Sequence, residues 1–206
     1  MAVGGGRRGL LVVLAGPSGS GKTTLLRALL GRLELAVESV SATTRPPRRG
    51  ETDGVDYFFM AREKFMEDVR RGLFAEHAEV FGRNLYGTPK RFLDENLAAG
   101  RDVLMDVDVQ GMSQLRHSYP DGAFIAVLPP SEKVLAERLA ARGTDGKEEI
   151  ARRLAESRGE VARLREECGY VVVNDRIEGA VEDLVAIVAA EKCRVTRRWE
   201  STGWKT

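Results

Sequence analysis

Residues 10–33 read LLVVLAGPSGSGKTTLLRALLGRL. The first six form an unbroken apolar run closed by glycine, the signature of a strand buried on both faces. From Lys22 onward, Leu25, Leu26, Leu29, Leu30 and Leu33 recur at helical spacing. Between strand and helix stand Gly16, Pro17, Ser18, Gly19, Ser20, Gly21, Lys22 and Thr23, a complete G-x-x-x-x-G-K-[ST], followed by Thr24. The glycines let the backbone curl until successive N–H groups converge at a helix N-terminus, where they form an anion nest. Lys22 adds a positive charge for β- and γ-phosphates, and the Thr23 hydroxyl can ligate Mg²⁺. A plain glycine-rich turn is the alternative. The buried strand before it and the amphipathic helix after it favour nucleotide phosphate.

The same alternation continues outward. Apolar runs at 103–107, 123–128 and 170–173 each precede a helical pattern, at 109–117, 131–142 and 177–192, with Ser131 placed to cap the second. Strands alternating with helices predict an α/β fold, a P-loop core with a parallel sheet flanked by helices. Two stretches break the pattern. Residues 38–88 are polar and rich in Arg and Gly, with strand-like pieces only at 57–60 and 74–80. Residues 137–167 carry seven Arg on a helical pattern with a thin apolar stripe. Both read as elements mounted on the core that contribute little to it. The domain is expected over 9–193, with mobile termini at 1–8 and 194–206.

The 206 residues suit one domain, and 43% hydrophobic against 31% charged residues gives enough apolar surface for a core. Thirty-two Lys and Arg against 31 Asp and Glu leave a net charge of +1, which argues against nucleic acid or an anionic membrane as partner. Two Cys and two His offer no disulfide framework and no metal-binding pattern. Cys168 reads as a small apolar filler, and His77 and His117 as exposed bystanders. No run approaches the roughly 20 apolar residues of a membrane span, and 10–15 is too short for a secretory signal core. A cytoplasmic location is expected; nothing in the patterning specifies an oligomeric state.

A second anion site is legible at 39–51, SVSATTRPPRRGE. Arg45, Arg48 and Arg49 crowd a Pro-interrupted segment that cannot be a regular helix, and guanidinium forks suit phosphate. A solvated basic turn is the alternative on this segment alone. Beside a phosphate loop, two anion sites suggest a donor and an acceptor. Asp106 and Asp108 sit two apart at a strand end and are candidate Mg²⁺ ligands, Asp106 preferred; helix capping is the competing role for Asp108.

The segments GPSGSGKT, SVSATTRPPRRGE with Tyr57 beyond it, FAEHAEVFG, VLMDVDVQG, ERLAARGT and VVND stand in the order and spacing of the guanylate kinases, which the chain resembles over about 10–192. That family phosphorylates GMP to GDP with ATP and Mg²⁺, in purine nucleotide recycling and GTP supply. The resemblance makes 38–88 a GMP-binding region and 137–167 a lid. It places the GMP phosphate on Arg45, Arg48, Tyr57 and Tyr86, and the guanine on Glu76 and Ser41 with Thr88 and Asp106. It makes Lys22, Arg45, Arg138, Arg142 and Arg153 the charge-stabilising catalytic set, and Asn174 the contact to the ATP base. Mg²⁺ falls to Thr23 and, through water, to Asp106. Residues 81–88 read one residue longer than the family pattern, with Leu85 where a tyrosine is expected. A non-catalytic scaffold of the same fold would have lost Lys22 or the lid arginines; both are here. A P-loop kinase for another small phosphorylated acceptor is the nearer rival, and Glu76 with Ser41 is what separates the two.

Overall fold

The structure, a computed structural model, describes residues 8–80, 84–141 and 146–198. The elements are β1 (Leu11–Ala15), α1 (Lys22–Leu30), β2 (Ala36–Glu38), β3 (Ala42–Thr43), β4 (Phe58–Phe59), α2 (Arg62–Arg70), β5 (Phe74–Val80), β6 (Asn84–Pro89), α3 (Lys90–Ala98), β7 (Asp102–Val107), α4 (Val109–Ser118), β8 (Ala123–Leu128), α5 (Glu132–Ala141), α6 (Lys147–Glu167), β9 (Tyr170–Val173), α7 (Ile177–Lys192) and α8 (Val195–Arg198).

β1 has no polar residue because it has no wet face. Leu10, Val12 and Leu14 pack with Leu25, Leu26 and Leu29 of α1 and with Leu184 and Val188 of α7. Leu11, Val13 and Ala15 pack on the opposite side with Leu93 and Leu97 of α3 and Met112 and Leu115 of α4. The period-two alternation of a strand thus feeds two cores, one on each face of the sheet. That sheet runs β2-β7-β1-β8-β9 with every neighbouring pair parallel. The expected strands at 103–107, 123–128 and 170–173 are all in it. Three strands end on functional segments: β1 on the phosphate loop, β7 on Asp106 and Asp108, β9 on Asn174. Ligands of open parallel sheets bind at this carboxyl edge.

Residues 38–88 are more ordered than their polarity suggests. They build a second sheet, β4-β3-β6-β5, around a small core of Ala42, Phe65 and Leu85. Phe65 stacks on Phe74 with ring centroids 4.4 Å apart. Leu85, which stands where the family pattern has a tyrosine, is 6% exposed and fills this core. α2 and α3 lie where no helix was expected, and β2 is a three-residue edge strand paired to β7.

The stretch 137–167, whose described residues are the end of α5 and all of α6, contributes more to the core than its sparse apolar stripe suggests. Leu139 and Leu164 are each 1% exposed, Leu164 inside the core against α4. A thin apolar stripe suffices for a helix that packs along one side only, on α4, α5 and β8. Cys168 packs against the same core, where burial pushes its thiol up to about 12. The termini at 1–7 and 199–206 lie outside the described residues; Val195–Arg198 form a single helical turn.

Candidate active site

The phosphate loop closes on itself. Gly21 caps α1 at φ +92°, and a Cβ there would stand 2.2 Å from the Asn174 amide nitrogen, so glycine is demanded by both conformation and space. Lys22 Nζ donates to the carbonyls of Gly16 (2.6 Å) and Pro17 (3.2 Å), which holds the ammonium over the loop. The Thr23 hydroxyl donates to Asp106 Oδ2 at 2.7 Å, across 83 residues of sequence. Gly16, Lys22, Asp106, Asp108 and Arg153 line one cleft of about 540 Å³. The sequence placed these residues in three separate segments; the fold gathers them.

Asp108 takes the alternative role left open for it. It is the N-cap of α4 and accepts from the Gly111 N–H at 2.7 Å. Its carboxylate still faces the cleft. Three further acids line the cleft without having been assigned a part: Glu79 of β5, and Glu156 and Glu160 of α6, which read as members of a solvated charged face. Burial pushes the Glu160 carboxyl above its ordinary range, with Lys22 opposing and Asp108 and Glu156 reinforcing. Arg153 Nε donates to Glu149 Oε1 at 3.1 Å. Arg138 Nη2 donates to the Asn174 carbonyl at 2.8 Å. Arg142 lies outside the described residues.

Asn174 is 5% exposed, and its Nδ2 donates to the Ser20 carbonyl at 2.8 Å. The loop after β9 therefore clamps the phosphate loop from behind. A strand-end asparagine read along the chain gives no hint of a partner 154 residues away.

On the acceptor side, β3, β5 and β6 bring the predicted residues together. Arg45 is gripped by Glu51 through two hydrogen bonds of 2.8 and 2.9 Å, and Glu51 also accepts from the Arg48 backbone N–H at 2.6 Å. These bonds hold the Glu51 carboxyl below its ordinary range and lift the Arg45 guanidinium above its own. Arg45 lies 5.3 Å from the Tyr57 ring centroid, and Tyr86 meets Tyr57 edge-on at 6.0 Å. Arg48 and Arg49 are exposed, and Ser41 is half-buried, its carbonyl accepting from the Phe58 N–H. Glu51 was quoted in the motif but given no part; its pairing orients the Arg45 guanidinium and holds the Arg48 backbone.

Glu76 faces Thr88 across the β5–β6 register, and the Thr88 hydroxyl donates to Glu76 Oε1 at 2.7 Å. Both are buried, at 7% and 0% exposure. Burial pushes the Glu76 carboxyl up to about 7, aided by the nearby Asp108 charge and opposed by the Thr88 hydrogen bond. That burial excludes a solvated strand-edge carboxylate. His77 and His117 are exposed.

A phosphate loop on a parallel sheet, an arginine-rich second site mounted opposite, and arginine-bearing helices beside the cleft define a P-loop kinase of small molecules. The family model for guanylate kinase matches residues 8–191. The guanylate kinase of Anaeromyxobacter dehalogenans is 51% identical over 93% of this chain and 85% of its own length; that of Caldanaerobacter subterraneus is 44% identical over 93% and 92%. The crystal structure of guanylate kinase from Anaplasma phagocytophilum, 34% identical, superposes with a TM-score of 0.73 over 93% of this chain and 90% of that one. The chain belongs to the guanylate kinase family. No helix among the described residues is long and apolar enough to cross a membrane.

Proposed function

We propose that the transfer of the γ-phosphoryl group from ATP to GMP, giving ADP and GDP, runs through two phosphate grips, with Glu76 reading the guanine. The loop from Gly16 to Thr24 holds the donor's polyphosphate, with Lys22 as its mobile charge. Arg45, Arg48, Tyr57 and Tyr86 hold the acceptor phosphate, the Arg45 guanidinium and the Arg48 backbone being held by Glu51. The Glu76–Thr88 pair carries the reading. Guanine offers N1–H and N2–H₂ as adjacent donors, which one carboxylate accepts together; adenine has an acceptor at N1 and no N2 amine. In a buried site the wrong base leaves the carboxylate unpaired, and such loss can discriminate by about 10⁴-fold. In this reading Ser41 and Asp106 supply the remaining base contacts.

The acceptor phosphate has a second pKa of about 6, so its attacking oxygen is anionic near neutral pH and no general base is needed. The obstacle is repulsion between acceptor and triphosphate. Lys22, Arg45, Arg138, Arg142 and Arg153 answer it by in-line positioning and charge neutralisation, and the lid helices exclude water. Thr23 Oγ1 and Asp106 Oδ2, 2.7 Å apart at the loop mouth, are the hard oxygen donors that Mg²⁺ prefers, and they would hold it with Asp106 acting through water. When bound, Mg²⁺ offsets charge on the β- and γ-phosphates. No cluster of three or more His, Cys, Asp or Glu competes as a metal site among the described residues. Asn174 supports the loop rather than the adenine.

The test is Glu76→Gln assayed with GMP and AMP as acceptors. The ratio of kcat/KM for GMP over AMP is expected to fall by at least about tenfold, with the KM for ATP unchanged. An unchanged ratio would remove Glu76 from the reading.

A further inference from the structure

Helix α4 touches the guanine-side strand at two points that no catalytic role explains. In its first turn, Gly111 lies against Glu76: a Cβ there would stand 2.8 Å from Glu76 Oε2 and 3.3 Å from Glu76 Cδ. Both positions are buried. One residue beyond Glu76, the Gln114 side-chain amide pairs with the backbone of His77, Nε2 donating to the carbonyl at 2.9 Å and Oε1 accepting from the N–H at 3.1 Å. β5 is an edge strand of its sheet, and Gln114 makes on that edge the two bonds that a further strand would make. The two contacts bracket Glu76. They are also built into the helix whose N-cap, Asp108, lies two residues after Asp106 and lines the donor cleft with it.

We propose that Gly111 and Gln114 are positioning residues for Glu76, fixing its carboxylate where it can accept both guanine donors and so setting the preference for guanine over adenine. The proposal rests on the reading of Glu76 as the guanine acceptor. Gln114 fixes the height of β5 against the core, and the missing side chain at Gly111 leaves room for the carboxylate. A carboxylate this buried has no solvent to retreat into, so a methyl group at position 111 displaces it by several tenths of an ångström or turns it. Paired N–H···O bonds weaken steeply with such misalignment. Glycine is otherwise a poor residue for a helix interior, where alanine is favoured; its presence here is explained by Glu76.

In the full chain, Gly111→Ala is expected to raise the KM for GMP about tenfold and to lower the GMP over AMP ratio of kcat/KM by a similar factor. The KM for ATP and the melting temperature should stay close to wild type, because alanine suits the helix. Gln114→Leu, which keeps side-chain bulk and removes both bonds, should move the same quantities in the same direction. Adding Glu76→Asp to Gly111→Ala shortens the acid by one methylene and should recover part of the GMP affinity, a rescue that a merely structural defect would not show. Wild-type GMP constants in both single variants would overturn the proposal, as would parallel losses for GMP and ATP together with a lowered melting temperature. If Glu76→Gln leaves selectivity intact, the reading of Glu76 itself is wrong. If Glu76→Gln abolishes selectivity and the two α4 variants do not touch it, only the positioning role fails.

Discussion

Glu76→Gln should make the protein more stable at alkaline pH while spoiling its base selectivity. The Glu76 carboxyl is pushed from the ordinary 4.5 to about 7 by burial, and it is 7% exposed, so the shift is little screened by solvent. In the unfolded chain the group ionises near its ordinary value. Below that value both states hold the proton and Glu76 is neutral in its effect. Between 4.5 and about 7 only the unfolded chain ionises, and the native state is progressively disfavoured. Above about 7 both are ionised and the full cost, about 3 kcal/mol, is present. Glutamine has nearly the same shape, can still accept from the Thr88 hydroxyl, and carries no charge to desolvate. Urea unfolding at pH 8.5 should therefore show the variant more stable by about 2–3 kcal/mol, with the gap closing toward pH 5. A variant equal to or weaker than wild type at pH 8.5, or a gap that does not change with pH, would refute the reasoning.

Two further perturbations separate the donor site from its support. Lys22→Ala should lower turnover by about 10³-fold in a coupled ADP assay and leave the far-ultraviolet spectrum unchanged, since Lys22 bonds only within the loop it serves among the contacts described above. Asn174→Ala removes the clamp on the Ser20 carbonyl, a buried hydrogen bond of about 1–2 kcal/mol; steady-state kinetics should show the KM for ATP raised about tenfold with the KM for GMP nearly unchanged.

What could be read from the sequence, and what could not, follows from how far apart the interacting residues lie. β1, β7 and β8 were legible because central strands covered on both faces are largely apolar, as Val12 to Ala15 are, and β9 because Tyr170 to Val173 form an apolar run although Val171 and Val173 of this edge strand are exposed. The phosphate loop was legible because all its parts are contiguous. β2 was not: three residues at a sheet edge, Ala36 to Glu38, give no period. α2 and α3 each bury only two or three side chains, Phe65 and Asp68 in one and Leu93, Asn96 and Leu97 in the other, so their apolar stripe is too sparse to stand out. Leu164 was lost among the charges of α6 for the same reason. The roles of Asn174, Gly111 and Gln114 depend on partners 154, 35 and 37 residues away, and no local pattern announces them. Glu51 is the intermediate case, since its partners Arg45 and Arg48 are close in sequence and a bidentate carboxylate beside an arginine pair could have been expected.

The central claim is that one buried carboxylate selects the base while two cationic sites bring the phosphates together. It is tested most directly by ADP release from ATP and Mg²⁺ with GMP, AMP, CMP and UMP offered separately at equal concentration. Rapid release is predicted with GMP and rates lower by about 10³-fold or more with the other three. Comparable rates with AMP, or no release with GMP, would contradict it.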